Sequence, residues 1–98
     1  MTLTGALRRQ LRSLSHHLDP FVLVGKGGVS DAIVGAVNVA LTDHELVKVR
    51  LPQVDKGARK RMASELEARA RAELAGLTGR VAILYRRHPV EPTIVLPA

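Results

Sequence analysis

The stretch Phe21-Val-Leu-Val-Gly25-Lys-Gly-Gly-Val-Ser30-Asp31 sets the frame of the chain. Its first four residues are an unbroken apolar run rich in β-formers, which predicts a strand over 21–24 buried on both faces. Ser30 is a good helix N-cap, and Asp31 just beyond it faces the positive end of the helix dipole. Between strand and helix stand Gly25, Lys26, Gly27 and Gly28. Glycine lets such a turn take positive φ and leaves its amides free of Cβ cover. A turn of this kind at a helix N-terminus suits a phosphate, because N–H groups and the dipole favour an anion, and Lys26 adds a mobile charge. The same residues would also serve as an ordinary tight turn, so their meaning depends on their surroundings.

Downstream, Ile33, Val37 and Leu41 repeat every four residues beside Ala36 and Ala40, predicting a core-facing helix over 31–42. After a turn at Asp43-His44, residues 45–51 alternate, with Val47, Val49 and Leu51 on one face and Leu46, Lys48 and Arg50 on the other. That is a half-buried strand with two outward cations, closed by Pro52. Asp55 can cap a third helix in which Ala58, Met62, Leu66 and Ala70, and then Leu74, recur at helical spacing, with Glu65–Arg69 and Glu67–Arg71 as i,i+4 pairs. Gly76 fits either the end of that helix or a strand. A β-rich run over 81–86 pairs with a strand around 73–78 through Gly79-Arg80, and 93–96, beyond Pro89 and Pro92, is at best a short edge strand.

Upstream, Leu3, Leu7, Leu11, Leu14 and Leu18 mark one helical stripe that Thr4 can cap and that should stop before Pro20. Arg8, Arg9, Arg12 and His16 fall in one arc away from the leucines. The alternation of helices and strands predicts an α/β domain, with three helices packed on a small mixed four-stranded sheet. One domain over 1–98 is expected, with an ordered core of about 3–87 and a proline-containing tail over 88–98.

Composition narrows the function. Fifteen Lys and Arg against nine Asp and Glu give +6, which favours a polyanionic partner. No cysteine is present, so disulfides and thiolate zinc sites are excluded. No apolar run is long enough to cross a membrane and the N-terminus lacks a signal-peptide pattern, so a soluble cytoplasmic protein is expected. Phe21 and Tyr85 are the only aromatic rings, which argues against a base-stacking platform.

The Walker spacing is absent, and Ser30 stands where the dinucleotide fingerprint needs glycine. His16 and His17 point about 100° apart on a helix and cannot share a metal, and no serine or threonine sits in a nucleophile elbow. No catalytic residue, metal, cofactor or small-molecule substrate is expected. Besides Lys26, the cations form sets on the first helix, at Lys48 and Arg50, and at Arg86-Arg87. Lys56, Arg59, Lys60 and Arg61 oppose the dipole at the start of the third helix, which suggests a use beyond helix formation.

Read in order, Leu11-Arg-Ser-Leu-Ser-His-His-Leu, Pro20, Val24-Gly-Lys-Gly-Gly-Val, His44-Glu-Leu-Val-Lys-Val and Gly79-Arg-Val-Ala-Ile-Leu-Tyr-Arg86 resemble the CRM domain (chloroplast RNA splicing and ribosome maturation), most closely its stand-alone bacterial YhbY-like members. The resemblance covers nearly the whole chain. It implies a fold like the C-terminal domain of translation initiation factor three, RNA binding through a GxxG loop, and association with ribosomal RNA in precursors of the large ribosomal subunit. By position the loop is Gly25, Lys26, Gly27 and Gly28, flanked by Arg12 and His17, and Arg8, Lys48 and Arg50 extend the expected phosphate track. A monomer without a cofactor is expected. Two positions depart from the family pattern: Arg71 stands where a glycine commonly ends the third helix, and Gly76 stands where a strand residue is usual. A basic protein-interaction adaptor and a small hydrolase or nuclease using His16 or His17 are the competing readings.

Overall fold

The computed structural model describes residues 3–18 and 21–96. The elements run α1 (Gly5–Ser15), β1 (Phe21–Leu23), α2 (Asp31–His44), β2 (Leu46–Arg50), α3 (Lys56–Arg69), β3 (Glu73–Thr78) and β4 (Val81–Tyr85). Each helix begins where the sequence supplies a cap. Thr4 Oγ1 accepts from Leu7 N–H at 3.1 Å, Ser30 Oγ from Ile33 N–H at 3.2 Å, and Asp55 Oδ1 from Ala58 N–H at 2.8 Å. Each such bond satisfies a donor of the first turn that has no partner inside its helix, and is worth about 1 kcal/mol.

The strands form one sheet in the order β1-β2-β4-β3. β1 runs parallel to β2, with α2 as the crossover, and the other pairs are antiparallel. This is the mixed four-stranded sheet that the alternation predicts. The helices divide between its faces. Under α2 and α3, Val22, Val47, Val49, Ala82 and Leu84 pack with Val37, Leu41, Ala63 and Leu66. On the other face Leu46, Ile83 and Tyr85 pack against Leu11 and Leu3, with Leu7 and Leu18 partly buried beside them. Leu11 is fully buried, and burial of such a side chain contributes roughly 1.5–3 kcal/mol.

Several expectations change. β1 is not buried on both faces: Val22 is buried, whereas Phe21 and Leu23 are 44% and 64% exposed. The reason is that β1 is the edge strand and α1 packs on β2, β3 and β4. Leu46, expected on the outward face of β2, is fully buried because α1 covers that end of the face. α2 continues through Asp43-His44, and the chain turns at Glu45, whose φ is 64°. α1 ends at Ser15 and tightens into i→i−3 bonds, with His17 N–H on Leu14 O and Leu18 N–H on Ser15 O. Pro20 lies outside the described residues.

α3 stops without glycine: Arg71 itself takes a left-handed φ of 52°. Its expected pairing with Glu67 does not form, and Glu67 Oε2 accepts from Leu74 N–H at 2.6 Å instead. Leu74 therefore belongs to β3, not to the helix. Gly76 is also in β3, next to a register shift between Leu74 and Gly76. Arg12 lies across it, and a Cβ on Gly76 would sit 2.6 Å from Arg12 Cδ.

No strand forms over 93–96. The tail turns back on Glu45, whose side chain is 2% exposed and accepts four hydrogen bonds, from His88 N, Thr93 N, Thr93 Oγ1 and Ile94 N. Burial alone would raise the carboxyl pKa, but those four donors outweigh it and hold the group at about 2. Ile94 and Leu96 then complete the α1-side core. The same burial, helped by the Glu45 charge, pushes the Tyr85 hydroxyl up.

Candidate functional site

The glycine loop leaves the sheet at the end of β1, where Val24 N–H donates to Arg50 O at 2.9 Å. Gly28 N–H closes the turn on Gly25 O, and Ser30 N–H closes on Gly28 O, both at 3.0 Å. Gly28 has φ of 73° and so has a backbone reason to be glycine. Gly25 and Gly27 do not: neither has a positive φ, and a Cβ on either would meet nothing within 4 Å. The space above them is open. Of the amides that the sequence presents for a phosphate, Gly28's is consumed by the turn. Those of Lys26, Gly27 and Val29 have no partner among the described residues. Lys26 is exposed.

Arg69 fixes the loop's exit. Its Nη1 donates to Val29 O at 2.9 Å and to Glu65 Oε2 at 3.2 Å, and its Nη2 is paired with Asp31 Oδ1. The pairing offsets the negative charge that Asp31 would otherwise present beside the loop. It also ties the start of α2 to α3.

The second part of the site is a cleft of about 620 Å³ beside α1. Strand register explains it: Phe21, Lys48 and Ile83 form one row on this face, and Leu23, Arg50 and Val81 the next. α1 contributes Arg9, Arg12, Ser13 and His16, at i, i+3, i+4 and i+7, as one wall. Lys48, Arg50, Phe21, Val81 and Ile83 form the floor and the far wall. Among the described residues no carboxylate lines it. The Arg50 guanidinium sits over the Phe21 ring, 5.4 Å from its centroid. Arg12 is half-buried and donates from Nη1 to Ala75 O at 2.8 Å, which anchors it in the wall.

Of the residues expected to act, Arg12, Lys48 and Arg50 converge in this cleft, and the loop stands next to Arg50 at the same end of the sheet. Arg8 is exposed on α1 and His17 beyond its end, and neither lines the cleft. Arg9 and His16 do line it. The arc of cations on the first helix is the sequence signal for them. Phe21 was hidden inside an apolar run with no periodicity.

Arg86, one of the cations grouped by sequence, is a structural clamp. Its guanidinium donates to Asn38 Oδ1, Ala70 O, Asn38 O and Thr42 Oγ1 at 2.7–3.1 Å, joining β4 to α2 and α3. The cations at the start of α3 belong to a helix on the opposite face of the sheet and do not line the cleft. Among the described residues no cluster of three metal-ligating side chains occurs, and no helix is long and apolar enough to cross a membrane.

These features define a small basic α/β domain whose open sheet edge carries a glycine loop and a cationic cleft on one side. The chain belongs to the CRS1/YhbY (CRM) domain family, whose model matches residues 3–86. It is 35% identical over 91% of its length to a Pseudomonas aeruginosa protein named "Probable RNA-binding protein PA4753", covering 86% of that protein. It is 37% identical over 97% of its length to "Probable RNA-binding protein YqeI" of Bacillus subtilis, covering 99% of it. Among solved structures, that of the hypothetical protein SAV1595 from Staphylococcus aureus superposes with a TM-score of 0.85 at 34% identity, covering 98% of this chain and all of that one.

Proposed function

We propose that the protein binds RNA, without catalysing a reaction, by seating backbone phosphates on the glycine loop and in the cleft beside α1. The convergence of Arg9, Arg12, Lys48 and Arg50 around one cleft carries the reading. The names of the Pseudomonas and Bacillus relatives support the choice of RNA over other polyanions. Phosphate contacts fix register without reading bases, so the loop and its cations supply affinity more than sequence choice. The protein would act in the cytoplasm as a monomer, with no metal, cofactor or small-molecule substrate.

The finer proposal is a ribosome-assembly role, with the protein docked on ribosomal RNA of precursor large subunits. Gradient sedimentation of cell lysate tests it. The protein is expected to travel with immature large subunits and to leave them after nuclease treatment. Migration at the top of the gradient would contradict the assembly role. Retention on a protein partner after nuclease would favour the adaptor.

A further inference from the structure

We infer that the cleft between α1 and β1 receives one unpaired base of the bound RNA, stacked against the Phe21–Arg50 pair, so that the partner is RNA with looped or single-stranded nucleotides, not plain duplex. The inference rests on the RNA-binding reading above and adds the chemical class that one side of the site would accept.

Three observations converge. Phe21 is 44% exposed, while Tyr85, the other ring, is buried at 2%. A large aromatic half in water at a sheet edge is open to a planar ligand. Next, the Arg50 guanidinium already lies over that ring, so the cleft offers stacking surface of both kinds that hold splayed RNA bases, an aromatic face and a guanidinium plane. Finally, the cleft sets apolar surface beside charge. Phe21 on one side of Lys48, and Ile83 and Val81 on the other side of the Lys48–Arg50 strand, offer apolar contact, and Arg9, Lys48 and His16 supply positive or hydrogen-bonding groups for the flanking phosphates. At about 620 Å³ the space lies in the range that encloses a small planar group.

The geometry also disfavours other occupants. β1 is only three residues long, too short an edge for a peptide strand to extend the sheet. An acidic peptide would meet the cations but has no use for the stacked pair. A fully paired duplex presents phosphates, and its bases stay within the stack.

The chain contains no tryptophan, so Phe21→Trp creates a single tryptophan reporter in the cleft, excited selectively over Tyr85 at the red edge of its absorption. The probes are a stem-loop RNA with an oligoadenosine loop and the same stem closed as a blunt duplex. Saturating stem-loop is expected to quench and shift the Trp emission, and saturating duplex to leave it nearly unchanged. In parallel, Phe21→Thr, which keeps a β-former on the edge strand, is expected to reduce the preference for stem-loop over duplex, read as the ratio of the two affinities, by roughly five- to a hundredfold. Emission that ignores the stem-loop, or a Phe21→Thr variant that either keeps the full preference or loses both RNAs equally, would overturn the base pocket and leave phosphate binding standing. Failure of the wild-type protein to bind either RNA would overturn the RNA-binding reading itself, and the pocket with it.

Discussion

Replacing Glu45 with glutamine probes the one carboxylate on which the tail beyond β4 closes. The side chain is nearly isosteric, so backbone and packing stay in place, but the acceptor set does not. Oε2 accepts from His88 N at 2.8 Å, and Oε1 accepts from Thr93 N at 2.6 Å, Thr93 Oγ1 at 2.7 Å and Ile94 N at 2.8 Å. An amide whose oxygen keeps the Oε1 bonds must turn its NH2 toward the His88 N–H, putting donor against donor inside the protein. A carboxyl held at about 2 instead of 4.5 corresponds to about 3 kcal/mol of stabilisation by the ionised form.

The sign follows from the direction of the shift. A depressed carboxylate contributes its full stabilisation above the unfolded value, and that contribution is lost as pH falls through the folded value. The contribution is therefore intact above about pH 4.5 and disappears toward pH 2. Urea unfolding followed by circular dichroism should give Glu45→Gln a deficit of about 3 kcal/mol at pH 7, a deficit that narrows steadily between pH 4.5 and pH 2. Equal stability at pH 7, or a gap that does not narrow in acid, would refute the clamp.

Three further outcomes follow from individual contacts. Gly76→Ala places a Cβ against the Arg12 side chain and should cost roughly 1–3 kcal/mol; much of that should vanish in an Arg12→Ala background, as read by a double-mutant cycle. Arg86→Met strands the carbonyls of Asn38 and Ala70 and should destabilise by roughly 2–4 kcal/mol, with Arg86→Lys rescuing little because a single ammonium cannot reach four acceptors; thermal unfolding measures both. Arg69→Met should speed amide exchange at Gly28 and Ser30, whose N–H groups are held within the turn, while changing global stability by less than about 1 kcal/mol, since its ion pairs are solvent-exposed.

What the sequence conveys about this fold follows the range of the interaction. Thr4, Ser30 and Asp55 were legible as caps because a cap and its amide lie three residues apart. The alternation in β2 and the four-residue repeats of α2 and α3 were legible for the same reason. The clamps were not: Glu45 meets its tail 43 to 49 residues away and Arg86 meets Asn38 across 48, and nothing local marks either as buried. Arg86 reads instead as one of the grouped cations.

Edge position is equally silent. Phe21-Val-Leu reads as a run buried on both faces, and only the strand order and the reach of α1 show that Phe21 and Leu23 face outward. Phe21 is one of only two rings, and composition alone did not show that it stands open at the sheet edge. The glycine loop was visible in full as a turn. Its amides were not distinguishable, since the Gly28 N–H is spent within the turn while the space over Gly25 and Gly27 stays open. The departure at Arg71 proved local: an arginine itself takes the left-handed position at which a helix-ending glycine was expected.

The claim that this loop and cleft grip RNA phosphates is tested most directly by titrating a structured RNA with the wild-type protein and with Gly27→Asp over a range of salt. Gly27 has no positive φ, and a Cβ there would meet nothing within 4 Å, so the variant should fold with an unchanged thermal midpoint. If about five cations neutralise phosphates, log affinity of the wild type should fall with log salt at a slope of roughly −3.5 on single-stranded segments. Gly27→Asp should bind at least about tenfold more weakly, as a carboxylate meets the phosphate. Wild-type affinity in Gly27→Asp, or affinity that ignores salt, would contradict the account.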